Sequence, residues 1–381
     1  MKYCTRCIIP DTRPNIKIDV DGVCNACRAH DSRPDIDWAS REKAFCDVVK
    51  NAKSLSRGYD CLIPVSGGKD STWQVIKCLE YGLNPLAVTW KTPGRSELGR
   101  HNLDCLIQLG VDHIDYQISP TTERKFLYCS FKKYGATAIP MHMALFNIPL
   151  TIAVRLNIPL VVWGENSAFE YGGDGEEQTG FQLDDRWLRK YGVTHGTTAA
   201  DWVSDDLTAK EMTAYFGPDD TEMRDKGVLA VFLGYYFPWD PEISLNAAVT
   251  AGFQVRPQGP KTGYYNYADI DDDFISIHHW LKWYKFGFTR LFDNLSLEIR
   301  NGRMSRDQAI EILRKYGSQT PHDDIGKLCD FLQISRSHFY KIAESFRNRE
   351  VWSQKNGQWI INDFVISDWD WNEHTPQRTA A

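Results

Sequence analysis

One stretch, residues 59–71 (YDCLIPVSGGKDS), limits what this chain can fold into more than any other. Residues 61–65, CLIPV, form a short apolar run with β-branched members, bounded by turn residues. Such a run reads as a buried strand of a parallel sheet. It stops at Ser66-Gly67-Gly68, and after Lys69, Asp70 and Ser71 a helical pattern, TWQVIKCLEYG, runs to an end cap at Gly82. Strand, glycine turn and helix together aim backbone N–H groups and a helix N-terminus at an anion. Two consecutive glycines let the backbone approach a phosphate with no side chain in between. Ser66 and Ser71 add hydroxyl donors, whereas Asp70 taken alone is no more than a helix-cap residue.

The Walker pattern of spaced glycines before Lys-Ser/Thr is absent from the chain. The string S-G-G-K-D-S instead resembles the SGGxDS signature of the PP-loop ATP pyrophosphatases. That resemblance implies cleavage of ATP to AMP and pyrophosphate, with a substrate oxygen adenylated on the way. Downstream, 84–90 (NPLAVTW), 113–118 and 159–163 read as strands, and 96–110, 126–133 and 141–156 as helices, with Ser96 as a cap and Gly110 as a stop. Alternating strands and helices predict an α/β fold, a doubly wound parallel sheet. Ligands of such sheets bind beyond the carboxyl ends of the strands. Both SGGKDS and Gly164-Glu165-Asn166 fall at such ends, so one cleft can hold them. Glu165 and Asn166 read either as a polar turn or as contacts to nucleotide, metal or substrate.

Cys4, Cys7, Cys24 and Cys27 form two C-x-x-C pairs sixteen residues apart, the spacing of a tetrathiolate zinc site. A ribbon this small lacks a core of its own, and a structural metal supplies the missing stability. A redox dithiol and an iron–sulfur cluster are the other readings. The ten cysteines of a 381-residue chain do not form a secreted disulfide framework. Met1-Lys2-Tyr3-Cys4 leads straight into cysteines and charges, without a signal peptide. The longest apolar region, 139–163, contains His142, Asn147, Arg155, Asn157 and three prolines, a poor membrane span. A soluble, cytoplasmic protein is expected, with no membrane partner. The formal charge of −6 gives no reason to expect a nucleic-acid partner.

The expected organisation is a zinc ribbon at 1–30, a connector at 31–58 that packs the ribbon onto the main domain, the α/β domain at 59–240 and a mostly helical C-terminal region at 241–381. Residues 169–227, glycine-rich and acidic at first, look like an insertion: a solvated loop, or a lid or subunit contact. The apolar run 228–240 reads as a strand buried on both faces. Asp271-Asp272-Asp273 reads as a solvated turn or acidic helix start, with a magnesium role as the sharper alternative. His278 and His279 cannot both face one side of a helix, which argues against a metal site from that pair. Lys285, Arg290, Arg300 and Arg303 are either surface charge or phosphate ligands. Residues 323–333 and 335–347 read as a helical hairpin, and Asn356-Gly357 as the turn of a β-hairpin.

The paired C-x-x-C, PVSGGKDS, WGEN, KTGYYNYADIDDDF and KFGFTRLFDNLSLEIRNGRMSRDQAI together resemble the N-acetyl sugar amidotransferases of surface polysaccharide synthesis, the WbpG type. The resemblance implies a fold of the PP-loop (adenine nucleotide alpha hydrolase-like) type and an enzyme of O-antigen biosynthesis. Such an enzyme converts an acetamido group on a UDP-linked diacetamido uronic acid to an acetamidino group. It implies that Ser66, Gly67, Gly68, Lys69, Asp70 and Ser71, with Gly164, Glu165 and Asn166, bind ATP. Asp70 would also bind Mg²⁺ or orient the nucleotide, and Lys285 and Arg290 would contact phosphate or the sugar carboxylate. No glutaminase signature is visible, and Lys2 follows the initiator methionine, so processing exposes no N-terminal cysteine nucleophile. Free ammonia is scarce at neutral pH, so a glutaminase partner is expected, together with a cyclase-like subunit that the resemblance implies. The competing reading is a PP-loop enzyme that thiolates tRNA, for which Cys61, Cys78, Cys105 and Cys129 are the available thiols.

Overall fold

Leu62 pairs with Leu86 on one side and Val161 on the other, so the strand that feeds the SGG turn lies at the centre of the sheet. The computed structural model describes residues 1–32, 35–164, 180–317 and 319–371. Its main sheet has five parallel strands: β1 (Cys61–Pro64), β2 (Pro85–Trp90), β3 (Asp112–Tyr116), β4 (Leu160–Trp163) and β5 (Leu229–Phe232), in the order β3-β2-β1-β4-β5. The order reverses between β1 and β4, which places a topological switch point beside the SGG turn and Gly164.

The pleat sorts the strand residues into two cores. Leu62, Leu86, Val88, Val161 and Ala230 face helices α5 (Pro120–Tyr134) and α6 (Ile139–Leu156). Cys61, Ile63, Ala87, Val162 and Val231 face α2 (Trp38–Leu55), α3 (Lys69–Glu80) and α4 (Glu97–Ile107). The first helix, α1 (Asn25–Asp31), belongs to the N-terminal ribbon. Local chemistry sets the helix ends: the Asp37 carboxylate accepts from Ser40 N and the Ser96 hydroxyl from Gly99 N, while Gly135 and Asn157 end α5 and α6 in the left-handed region. Helix α6 is long and apolar enough to cross a membrane by composition, and half of it is buried against the sheet and its neighbours.

Three expectations change here. The segment 31–58 does not serve only as a connector: Phe45, Val49 and Ala52 of α2 complete one face of the sheet. The ribbon packs instead on the C-terminal region, where Cys4, Cys7, Ile8 and Ile9 share a core with Phe288, Phe292, Leu295 and Trp352. The described part of the insertion is anchored by a few buried side chains, although most of its residues stay exposed. Helix α7 (Asp185–Tyr191), the 3-10 turns Ala199–Trp202 and Glu211–Tyr215 and helix α8 (Asp220–Asp225) follow one another. Trp187, Trp202, Met212 and Tyr215 are buried in the core beside α6. The glycine-rich 169–179 lies outside the described residues.

The third change is in 228–240, where only Leu229–Phe232 is a strand. The chain then turns through a single helical turn, α9 (Leu233–Tyr236), and enters α10 (Pro241–Thr250). Helices α11 (Ile275–Phe286), α12 (Arg290–Arg300), α13 (Arg306–Tyr316), α14 (His322–Leu332) and α15 (Arg336–Ser345) build the C-terminal region. Ser305 and Gln308 close the expected capping box on α13. The last two form the helical hairpin, packed through Phe339, Ile342 and Leu328 onto α5 and α11. A hairpin of β6 (Trp352–Lys355) and β7 (Gln358–Ile361) follows, its turn formed by Asn356 and Gly357 at positive φ.

Candidate active site

The turn after β1 is shaped by what lies behind it. Gly67 adopts φ +86°, and a Cβ there would lie 2.7 Å from the backbone nitrogen of Leu103 on α4. Gly68 is the N-cap of α3 and carries no side chain to satisfy the first N–H groups of the helix. Those groups and the positive end of the helix dipole face outward at the switch point, a ready anion cradle. The Ser66 hydroxyl accepts from Gly68 N at 3.2 Å, and the Ser71 and Thr72 hydroxyls both donate back to Gly68 O at 3.0 and 3.1 Å. The turn is therefore held rigid by its own hydroxyls.

Lys69 is turned into the protein. Its ammonium donates to the Asp70 carboxylate at 2.6 Å and to the Ser244 hydroxyl of α10 at 3.0 Å, and lies over the rings of Trp239 and Tyr267. Trp239 Nε1 donates to the same Asp70 oxygen at 2.9 Å. Asp70 is thus fixed by a cation and an indole while its side chain stays about one-third exposed, at 32 %. Gly164, after β4, accepts from Gly234 N at 3.0 Å and has the Gln74 side chain against its α-carbon. Glu165 and Asn166 lie outside the described residues.

The C-terminal region reaches α4, behind this turn, through its acidic run. Asp271 does not sit in a solvated turn: its carbonyl accepts from Ser96 N at 3.1 Å, and its backbone presses so closely on Gly99 that a Cβ there would lie 2.5 Å from the Asp271 Cα. Burial pushes the Asp271 carboxyl up, with the Asp269 carboxylate adding to the shift. Asp272 is buried and accepts from Phe274 N, while Asp273 is tied to Lys261 and Lys327. Sequence reasoning did not single out Asp271 or Trp239 as neighbours of the turn. Their partners, Ser96 and Asp70, lie far away along the chain, and no local pattern records such pairings.

Beside Trp239 an open cleft of about 350 Å³ is lined by His30, Asp240, Arg300 and Arg303. Arg303 is engaged by Glu298 at 2.7 Å and Asp240 at 3.1 Å, and Arg300 lies partly exposed on its wall. Lys285 and Arg290 lie in another part of the C-terminal region. Lys285 makes no hydrogen bond or ion pair among the described residues, and burial, with Lys282 nearby, pulls its ammonium down to about 8. Arg290 leans toward Asp269, its Nε 3.8 Å from Oδ2, on the wall of a second cavity with Lys261, Thr262 and His279. His279 is buried and His278 partly so, and burial drives both imidazoles well below their ordinary value.

Asp293 anchors the neighbouring cations. Arg13 of the ribbon donates to it at 2.6 Å and Lys282 stands 3.5 Å away. Burial alone would raise its carboxyl, but Arg13, Lys282 and Arg290 hold it well below the usual carboxylate range. A depressed carboxyl contributes stability that is full above the unfolded-state value and is lost as pH falls through the folded-state one. Asp293→Asn is therefore expected to cost about 3 kcal/mol at neutral pH, the range for breaking a buried pair. It should also flatten the decline in thermal stability below the ordinary carboxylate range, as melts across a pH series would show.

The four ribbon cysteines converge as their spacing implies. All are buried, with Cys4 Sγ 3.9 Å from Cys27 Sγ and Cys7 Sγ 3.8 Å from Cys24 Sγ. A tetrahedron of sulfurs about 2.3 Å from a zinc ion has edges of about 3.8 Å. Backbone N–H groups of Cys24 and Cys27 donate to Cys4 Sγ and Cys24 Sγ, as thiolates require. The donor set fits a closed, structural zinc site.

Residues 261–365 match the family model described as LPS biosynthesis protein WbpG-like, C-terminal domain. Among solved structures, NMN synthetase from Francisella tularensis is similar at 13% identity, over 80% of this chain and 95% of that one, with a TM-score of 0.36. At that level the likeness carries no argument. No curated protein matches the chain. Over residues 261–365 the chain is similar to that WbpG-like domain, and the matched region includes Asp271, which packs on α4 behind the SGGKDS turn.

Proposed function

We propose that the protein is an ATP-dependent amidotransferase that converts an acetamido group of a UDP-linked diacetamido sugar to an acetamidino group, in the synthesis of a surface polysaccharide such as O-antigen. The observation that carries this reading is the packing of the WbpG-like region on α4, the helix behind the anion cradle, where Ser96 N donates to the Asp271 carbonyl and Asp271 presses on Gly99. That packing brings the WbpG-like region beside the turn proposed to bind a nucleotide phosphate.

In the proposed reaction the amide oxygen attacks the α-phosphorus of ATP and the bond to pyrophosphate breaks. Ammonia then forms a C–N bond at the imidate carbon, and the C–O bond breaks with its electron pair leaving on AMP. An amide oxygen is a poor leaving group until it carries the nucleotide. Gly67, Gly68 and the first turn of α3 would receive the pyrophosphate, with Ser66 and Ser71 fixing the turn. Asp70, oriented by Lys69 and Trp239, and Asp271 are the carboxylates that would hold Mg²⁺. That ion would supply charge neutralisation at the departing phosphates. Arg300, beside Trp239, would receive an anionic substrate group, with Arg303, tied to Glu298 and Asp240, next to it and Lys285 and Arg290 as the more remote cations. A glutaminase with a cyclase-like subunit is the proposed ammonia source, zinc the proposed ribbon metal, and the cytoplasm the proposed compartment.

The thiolation reading needs a reactive thiol in the α/β core. Cys61 and Cys78 are fully buried, and hydrogen bonding to Cys78 with burial pushes the Cys61 thiol well up, away from the thiolate. The test is mass spectrometry of UDP-diacetamido sugars incubated with enzyme, ATP, Mg²⁺ and high ammonium. The expected product has lost the mass difference between O and NH, with one AMP and one pyrophosphate formed per sugar. ATP cleavage with no mass change on any such sugar would overturn the assignment of substrate. Sulfur transfer into tRNA would replace the assignment altogether.

A further inference from the structure

Helix α11 is buried on all sides but one. Its residues that keep some exposure are Ile275, His278, Lys282, Lys285 and Phe286, spaced three, four and one apart along a single face. Three of the five can carry a positive charge, and the helix contains no acidic residue. On an open surface such residues would be ordinary solvated charge. Here all three are only partly exposed, Lys282 to 18 % of its side chain. Among the described residues Lys285 has no ion-pair partner, and His278 Nδ1 is buried without a hydrogen bond.

The fold sets this face at the edge of the sheet where ligands bind. Helix α6 leads directly into β4 and runs antiparallel to it, so the first turn of α6 lies at the carboxyl edge of the strands. The ring contact of Phe146 on α6 with Trp163, the last residue of β4, at 5.0 Å agrees with that placement. His142, in that first turn, stands 6.5 Å from His278, ring centre to ring centre. The cationic face of α11 is thereby brought to the same edge as the SGG turn, next to the strand across the switch point from β1. His142 also lines an open cavity of about 200 Å³ between α6 and the insertion, so the face borders open space there. At the other end of the face, Lys285 lies within electrostatic reach of His195 of the insertion.

Charge identifies the missing occupant. The carboxylates that bear on Lys282 are Asp293 and Asp269; Arg13 and Arg290 bear on it as well, and Asp293 is already held by Arg13. Among the described residues, Arg13, Lys282, Lys285 and Arg290 thus face Asp293 and Asp269, four cations against two carboxylates. The surplus of two positive charges matches a diphosphate diester, which carries two negative ones. Partly buried cations without enough countercharge are costly unless an anion joins them. We infer that His278, Lys282 and Lys285 on this face of α11 receive the diphosphate of the nucleotide-linked sugar, apart from the glycine turn that takes the phosphates of ATP. This inference rests on the amidotransferase reading. It gives the two nucleotides separate anion sites at one edge of the sheet, as a reaction between them requires. Burial supports the same picture, since it pulls the Lys282 and Lys285 ammoniums down to about 8, as expected of cations that await an anion.

The test uses the full chain and two readouts. In the first, calorimetry measures the binding of UDP and, separately, of ATP. Wild type is expected to bind both. Lys285→Met, which keeps the length of the side chain and removes its charge, should weaken UDP about tenfold or more and leave the affinity for ATP unchanged. Lys285→Arg should stay within about threefold of wild type, because a phosphate accepts either cation. His278→Leu leaves Asp293 and its cations alone, should weaken UDP about threefold or more, and decides the matter if the Lys285 variant does not fold. In the second readout, steady-state amidination, Lys285→Met should raise the KM for the UDP-sugar by a similar factor and leave the KM for ATP unchanged. Wild type that does not bind UDP overturns the inference, and so does a loss of ATP affinity in place of UDP affinity. Sugar turnover with an unchanged sugar KM in both variants also overturns it and leaves the amidotransferase reading standing. UDP binding that depends on Lys285, without turnover of any acetamido sugar, supports the site and sinks that reading instead.

Discussion

Replacing Cys27 with serine is expected to strip zinc from the protein and to unfold far more than the ribbon. Wild type should carry one zinc per tetrathiolate site by elemental analysis, and the variant none. The size of the effect follows from where the four cysteines sit. A structural zinc site contributes on the order of 10 kcal/mol to the fold it holds, and residues 1–30 have little other core. Their apolar side chains, Ile8, Ile9, Ile16 and Val23, are buried against Phe288, Leu291, Phe292 and Leu295 of the C-terminal region. Arg13 ties the same surface to Asp293, Thr12 donates to Phe286 O at 2.6 Å, and Arg306 donates to Cys7 O at 3.1 Å. Losing the metal therefore uncovers one face of α12 and leaves Asp293 short of its main partner. The expected readouts are a melting temperature lowered by many degrees, dye binding to newly exposed apolar surface, and the same outcome on prolonged chelation of the wild type. Full zinc content or an unchanged melt in the serine variant would show that Cys27 holds no ion. Visible absorbance and bound iron in the wild type would replace zinc with a cluster.

The zinc cysteines were readable because their signal is local. Each C-x-x-C pair is complete within four residues, and the metal imposes the convergence. The strands were readable for a related reason, since an apolar run of four to six residues bounded by turns leaves few alternatives. Where the run was longer the same signal failed. Residues 233–236 are as apolar as the strand before them yet form a helical turn, because burial on all sides removes the periodicity that separates the two. Asp271 to Asp273 were misread for a different reason. Three adjacent acids are usually solvated, and what packs on these is distant: Ser96 and Gly99 for Asp271, Lys261 and Lys327 for Asp273, and Gly94 for Asp272. The same holds for Trp239 on Asp70, 169 residues apart, and for Arg13 on Asp293, 280 residues apart. The turn proposed to bind a phosphate could thus be read from one short string, but the residues that orient it could not. They come together only once the C-terminal region is folded onto the sheet.

The SGG turn itself makes the second large prediction. Gly67→Ala is expected to abolish ATP–pyrophosphate exchange while leaving most of the protein folded. An alanine at φ +86° bears left-handed strain of about 1–2 kcal/mol. The new methyl group would also meet the backbone of Leu103 at 2.7 to 2.8 Å. That backbone is poorly placed to yield. Leu103 is buried in the core under the sheet, and α4 is pinned at its start by the Ser96 cap and by Asp271 pressing on Gly99. The turn must move instead, and it carries with it Gly68, the first N–H groups of α3 and the Ser66 hydroxyl that holds Gly68 N. Loss of well-placed donors to a developing charge lowers rates by about 10²–10³. Gly68→Ala separates the two effects. Its φ of −71° is compatible with alanine and its nearest neighbour is only the Ser66 hydroxyl at 3.2 Å, so the fold should be little disturbed while a methyl group enters the cradle. Gly58→Ala, with nothing within 4 Å, should change neither exchange nor melt. If the Gly67 variant melts like wild type and still exchanges pyrophosphate at the wild-type rate, ATP is cleaved somewhere other than the turn after β1, since the backbone there could not have kept the geometry the cradle requires.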